Sequence, residues 1–195
     1  MTFYGSVKME PSKDENLDKG LEKEVTGYNG RKYTLYELRN SANNFTINDD
    51  WEYRKCTKEK YSKVYNCQEE TVPAGILKEV YGLDESFEEK WLKDEVRKGY
   101  EASNLGRVKY NGKLILQDDE NHNGKLRLTT FIDGEEAPNV TEPVYRFVAE
   151  TFYGNSTGHV HHINNNGYDC RPDNLILLSR EEHSKAHGYH IGNEK

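Results

Sequence analysis

Gly158-His159-Val160-His161-His162-Ile163-Asn164-Asn165-Asn166-Gly167 leads, past an irregular stretch, to Asp173-Asn174-Leu175-Ile176-Leu177-Leu178 and then to Ser179-Arg180-Glu181-Glu182-His183-Ser184-Lys185-Ala186-His187. Six of the seven histidines of this 195-residue chain fall between His159 and His190, so the reading of this region decides the rest. Gly158 to Ile163 reads as a short strand, and Asn164-Asn165-Asn166-Gly167 has turn chemistry. Leu175 to Leu178 is an apolar run short enough for a buried strand. Ser179 with Glu182 three residues on is a capping box, so a helix is expected from about Arg180. The succession is strand, loop, strand, helix.

Adjacent residues of a strand point to opposite faces, so His161 and His162 have different tasks, one toward a metal and the other toward a substrate. A helix laid across the hairpin would bring His183 to the same metal, and His187 shares its helical face at i, i+4. Two imidazoles leave positions open for water and phosphate oxygens, as a catalytic ion requires.

Outward from this region, Glu142-Pro143 opens a helix whose Val144, Phe147, Val148, Thr151 and Phe152 form an apolar stripe, closed by Gly154. Arg146 lies off that stripe, where it could face a phosphate. Arg171 and Arg180 are further phosphate candidates, because guanidinium pairs bidentately with phosphate. Further upstream, turn signals at Asn104-Leu105-Gly106, Asn111-Gly112, Asn123-Gly124 and Asp133-Gly134 separate short strand-like runs, which argues for an antiparallel meander. Ser86 to Lys98 carries Phe87, Trp91, Leu92 and Val96 on a helix-like period.

In the N-terminal half, Lys8 to Glu24 is dense in charge and poor in apolar residues, so residues 1–24 read as a weakly structured tail. Lys32 to Leu38 reads as a strand after the turn at Asn29-Gly30, Asn40 to Asp50 as a loop, and Trp51 to Cys56 as another strand. Lys55, Lys58, Lys60 and Lys63, interleaved with Tyr53, Tyr61 and Tyr65, could track a phosphate backbone or form a solvated strand face. Thr71 to Tyr81 reads as a short helix ending at Gly82.

Composition limits the partners. Net charge is −7, and residues 1–98 carry 17 basic and 20 acidic residues against 10 and 14 in residues 99–195. Neither half is a basic domain, so any DNA contact needs locally placed charge, part of it from a bound cation. Cys56, Cys67 and Cys170 form no CxxC pair, which argues against a disulfide framework or a four-cysteine zinc site. Met1 to Gly5 lacks a basic region followed by an apolar segment, so a cytoplasmic protein is the expectation.

His161-His162, Asn174 twelve residues after His162 and His183 twenty-one after it resemble the HNH nuclease motif of the ββα-metal fold. Asn174 to Ser179 adds to the likeness. Gly99 to Lys109 resembles a nuclease-associated modular motif that precedes the HNH module in phage homing endonucleases, and Val144 to Phe152 resembles the helix between the two. Aspartate often stands first in the paired motif of these phage enzymes; histidine here is a variant found in other HNH nucleases.

The resemblance implies an α+β protein: a small antiparallel β-meander and a helix feeding a C-terminal ββα-metal nuclease unit, with a small N-terminal module. The divisions are 1–24 tail, 25–85 a separate module of unassigned role, 86–140 a DNA-binding β-meander, and 141–195 the nuclease domain. It further implies that His161 and His183 ligate one divalent cation, Mg²⁺ or Mn²⁺ foremost with Zn²⁺ or Ni²⁺ as alternatives. His162 is the implied general base, and Asn174 braces the loop and orients His162 by a hydrogen bond. His187, Arg171, Arg180 and Arg146 are additional metal or phosphate contacts. His159, His190 and His122 are peripheral. The implied activity is hydrolysis of double-stranded DNA by a phage- or prophage-encoded homing enzyme in the host cytoplasm, acting as a monomer or a homodimer. Two other classes compete: a non-catalytic DNA-binding module with a structural metal, and a histidine-rich interaction domain without one.

Overall fold

A computed structural model describes residues 20–44, 51–119, 126–128, 131–132, 135–136, 143–154 and 157–188. The expected turns at Asn123-Gly124 and Asp133-Gly134, together with His122 and His190, lie outside the described residues. Residues 1–19, most of the expected tail, lie outside them as well.

The ribbon of β11 (His159–His162) and β12 (Leu175–Leu178) sits between two apolar cores. The strands are antiparallel, with His161 opposite Ile176 and His162 opposite Leu175. Strand alternation sends Ile176 and Leu178 to one side, where they join Leu21, Tyr33, Leu35, Leu38 and Ala186 in the smaller core. Leu175 faces the other way into the larger core, with Val160 packed against that core.

The larger core is assembled from three sources. The helix α4 (Val144–Tyr153) contributes Val144, Phe147 and Val148 of the expected stripe together with Ala149, while Phe152 is only partly buried against this core. A four-stranded antiparallel sheet runs in the order β3 (Trp91–Lys93), β4 (Tyr100–Ser103), β5 (Val108–Tyr110), β6 (Lys113–Leu114). It supplies Tyr100, Ala102 and Val108. The helices α2 (Trp51–Tyr65) and α3 (Ala74–Tyr81) supply Tyr61, Val64, Tyr65, Leu77 and Val80. Short two-stranded pieces complete the architecture: β7 (Gln117–Asp118) with β8 (Arg127–Leu128), and β9 (Phe131–Ile132) with β10 (Glu135–Glu136). The fold is α+β, as expected. Among the described residues no helix is long and apolar enough to cross a membrane.

Several local expectations are corrected. The strand expected over Lys32 to Leu38 is confined to β2 (Lys32–Thr34), paired with β1 (Glu24–Thr26), and helix α1 (Leu35–Asn44) begins inside that expected strand and runs on into the expected loop. The cause is a second capping box. The Thr34 amide donates to Glu37 Oε2 at 2.7 Å, and the Glu37 amide donates to Thr34 Oγ1 at 3.1 Å. Trp51 to Cys56 belongs to helix α2, because Tyr61, Val64 and Tyr65 bury themselves at i, i+3, i+4 spacing rather than at alternate positions. Two of its lysines are committed: Lys58 pairs with Asp118 at 2.5 Å and Lys63 with Glu79 at 2.6 Å. Ser86 to Lys98 is not helical. Trp91 to Lys93 pair with Glu101 to Ser103 as a sheet edge, leaving Leu92 and Val96 exposed.

Residues 25–85 do not stand apart. They divide between the two cores, and Leu21, read with the tail, is itself buried among Leu35, Leu38 and Ile176. Within the larger core, Arg107 ties the sheet to the loop between α2 and α3. This fully buried guanidinium donates to the carbonyls of Cys67 and Glu69 at 3.2–3.3 Å and pairs with Glu89 at 3.2 Å. A buried charge is tolerated only with such partners.

The turn before β5 presses on the loop between β11 and β12. Gly106 has φ +80°, and a Cβ there would lie 3.0 Å from the backbone carbon of Cys170. Gly112 has the same φ but open space around it. Gly112→Ala should therefore cost about 1–2 kcal/mol from backbone strain alone. Gly106→Ala adds the clash and should cost roughly twice that, read as a larger fall in urea midpoint. Equal midpoints for the two variants would refute the close packing.

Candidate metal centre

Three imidazoles converge on the smaller-core side of the ribbon. His161 projects from β11 and is 1% exposed. His183 and His187 project from α5 (Arg180–His187), which starts at the Ser179–Glu182 capping box, as expected from the sequence. The spacing i, i+4 places both on one face. His161 Nδ1 lies 3.1 Å from His187 Nε2. One potential ligand nitrogen from each of the three residues falls within 4.8 Å of the other two.

The donor set fits a metal ion. Nitrogens bound to one tetrahedral Zn²⁺ at about 2.0–2.1 Å stand roughly 3.4 Å apart, which small ring rotations would reach. The Nε2 of His161 is buried with no hydrogen-bond partner among the described residues, an expensive state for a polar atom unless something binds it. Burial, reinforced by the neighbouring His187 and His183 rings, pushes His161 down to about 3. Burial and the flanking His187 and His159 push His183 down to about 4, and burial alone lowers His187. All three rings are thus neutral at pH 7, the form that coordinates. His187 had ranked below His183 in the sequence reading; the geometry makes them equals. His159, exposed at the start of β11, stacks on His183 with centroids 5.2 Å apart and stands outside the three-nitrogen set.

His162 occupies the opposite face of β11. Its ring meets Tyr145 of α4 edge-on, with centroids 5.0 Å apart. Burial pushes it down to about 4, and the Asp169 carboxylate works in the opposite direction. Its Nε2 is covered and has no partner among the described residues.

The loop joining the strands is built around Asn174 and Asp169. The Asn174 amide donates to Asn164 Oδ1 at 2.8 Å and to the Asp169 carbonyl at 2.9 Å, while its Oδ1 accepts from the Asn164 amide at 3.0 Å. Asn174 thus ties Asn164 to Asp169 within the loop, and among the described residues none of its hydrogen bonds goes to the His162 ring. Asp169 was not singled out by sequence. It is fully buried and accepts from Arg171 Nε and Nη2, each at 2.8 Å, and from Asn164 Nδ2 at 2.9 Å.

Two arginines expected at phosphate are engaged elsewhere. Arg171 forms that pair with Asp169 and lies over the Tyr81 ring at 4.0 Å. Arg146 donates to the Gly158 carbonyl at 2.6 Å and pairs with Glu150 at 3.5 Å, which anchors the start of β11 to α4. Arg180 is exposed in the first turn of α5.

Neutral, buried imidazoles tie stability to pH. Below the ordinary histidine value of 6.5 the unfolded chain takes up protons that folded His161 and His162 refuse. Stability is therefore complete above pH 6.5 and is lost as pH falls, by about 1.4 kcal/mol per pH unit for each such ring. Thermal melts of metal-free protein between pH 7.5 and 5 should show a falling Tm, and His161→Asn should flatten the slope. An unchanging Tm over that window would contradict the buried neutral state.

No curated protein and no solved structure matches the chain. Residues 143–185, spanning α4, both strands of the ribbon and α5 as far as Lys185, match the family model described as HNH endonuclease. HNH nucleases use a divalent metal, and two members of the imidazole cluster, His161 and His183, lie within the matched residues, which are similar to an HNH endonuclease domain.

Proposed function

We propose that the chain is a metal-dependent endonuclease hydrolysing phosphodiester bonds of double-stranded DNA, of the homing type encoded by phages or prophages. The observation that carries this reading is the meeting of His161, His183 and His187 nitrogens from two elements within 4.8 Å. Three protein ligands leave one tetrahedral position open, the arrangement of a catalytic rather than a closed structural site. That weighs against a non-catalytic DNA-binding module with a structural metal. An all-imidazole set also shifts the expected ion from Mg²⁺ or Mn²⁺ toward Zn²⁺ or Ni²⁺, since the former prefer oxygen donors.

When bound, the ion supplies Lewis-acid stabilisation of charge on the scissile phosphate and the leaving 3′ oxygen. His162 is the general base. Its ring, held neutral, can accept the proton of the attacking water. Asp169 favours the imidazolium that then forms. Asn174 holds the loop that carries Asp169, and Tyr145 fixes the plane of the His162 ring. The upstream sheet in 86–140 serves as a DNA contact; exposed Lys90 and Lys93, and Lys109 set 3.8 Å over Trp91, support this. Arg180, exposed in the first turn of α5, is a candidate phosphate contact.

Supercoiled plasmid incubated with the protein and Zn²⁺, Ni²⁺, Mn²⁺ or Mg²⁺ tests activity, ion choice and nicking against linearisation together. His162→Ala should slow cleavage roughly 100- to 10,000-fold while metal uptake and DNA binding persist. Undiminished cleavage by that variant would remove His162 from the chemistry.

A further inference from the structure

We propose that Arg39, in the N-terminal helix α1, is a positioning residue for the metal centre: it fixes the last turn of α5 and so holds His183 and His187 in register with His161. The proposal rests on the metal-site reading above. Helix α5 has eight residues, too few to be stable alone, and Ala186 is its one buried residue. Its position therefore depends on what touches it from outside, and the N-terminal segment touches both ends. At the first turn Lys23 pairs with Glu182 at 2.6 Å. At the last turn Arg39 Nε donates to the Lys185 carbonyl at 2.8 Å. Between them Leu21, Leu35 and Leu38 pack with Ala186.

Lys185 stands between the two helix ligands in sequence. Its carbonyl also accepts the Gly188 amide at 3.1 Å, so both of its lone pairs are used. A guanidinium at a helix C-terminus satisfies an end carbonyl and suits the negative end of the helix dipole. Leu21, Leu35 and Leu38 remain packed with Ala186 when it is removed. The damage should therefore be confined to the turn that presents His187, where a shift of a fraction of an ångström separates three-point from two-point coordination.

The test is Co²⁺ titration of the metal-free full-length chain, read by the visible absorption of the cobalt-loaded site, alongside thermal melts without metal. Arg39→Ala should bind Co²⁺ about tenfold more weakly, with an altered band at saturation and little change in metal-free Tm. Arg39→Lys, which keeps a donor for the carbonyl, should recover most of the affinity. Val80→Ala, in the other core, should lower Tm without moving the affinity. Wild-type affinity and spectrum in Arg39→Ala would overturn the positioning role alone. An equal loss of affinity in Val80→Ala would also overturn it, by assigning the effect to general instability. A wild-type chain that takes up no Co²⁺ would overturn the metal reading and the positioning role with it.

Discussion

The two-residue period of one short strand governs this molecule. Because His161 and His162 are neighbours on β11, one must face the small core and α5 while the other faces the large core and α4. Each face then needs its own cover, and the chain provides it from distant segments. The N-terminal α1 covers one face together with α5, whereas α4 and the upstream sheet cover the other. Three imidazoles on one side and a single enclosed imidazole on the other follow from that division, and so does the proposed separation of metal holding from proton transfer. The burial that makes the two cores also keeps these rings neutral, so packing and chemistry draw on the same desolvation.

Electrostatics elsewhere follows a pattern of internal use. In a chain of net charge −7, the prominent cations are spent within the fold. Arg107 ties the sheet to the loop between α2 and α3, Arg171 braces the loop between β11 and β12, Arg146 anchors the first strand of the ribbon, and Arg97 joins Asp94 to Glu150. Among the described residues these guanidiniums are taken up by internal partners. A doubly charged ion on three neutral ligands would therefore form a large share of the local positive potential.

The ββα region was legible because its signals are local: paired histidines, an apolar run and a capping box all act over a few residues. The N-terminal half was misread where two local signals competed. Thr34-Leu35-Tyr36-Glu37 is as clear a capping box as Ser179 to Glu182, yet the aromatic and β-branched residues around it favoured a strand. In α2 the tyrosines and lysines looked like a strand face, although Tyr61, Val64 and Tyr65 were already at helical spacing. Between Ser86 and Lys98 the spacing of Phe87, Trp91, Leu92 and Val96 mimicked a helix; edge pairing with β4 decided otherwise, an interaction with residues ten or so positions away. Asp169 carried no sequence signal, since its importance lies in where Arg171 and Asn164 meet it. Arg39 was equally silent, because its partner is a backbone carbonyl 146 residues away.

The contact of Gly106 with the backbone of Cys170 bears on how such a protein could be taken apart. Sequence likeness suggests detachable cassettes, an upstream motif and a nuclease unit, joined end to end. Here the turn of the first is seated against the loop of the second with no room for a methyl group, and the strand ribbon of the second is roofed by α1 from the far end of the chain. A graft of residues 143–185 onto another protein would carry His161, His162 and His183 but lose His187, and it would strip α1 from one face of the ribbon and the upstream sheet from the other. Recombination between relatives would be tolerated at junctions that move Gly106 with Cys170, and α1 with α5, as matched pairs.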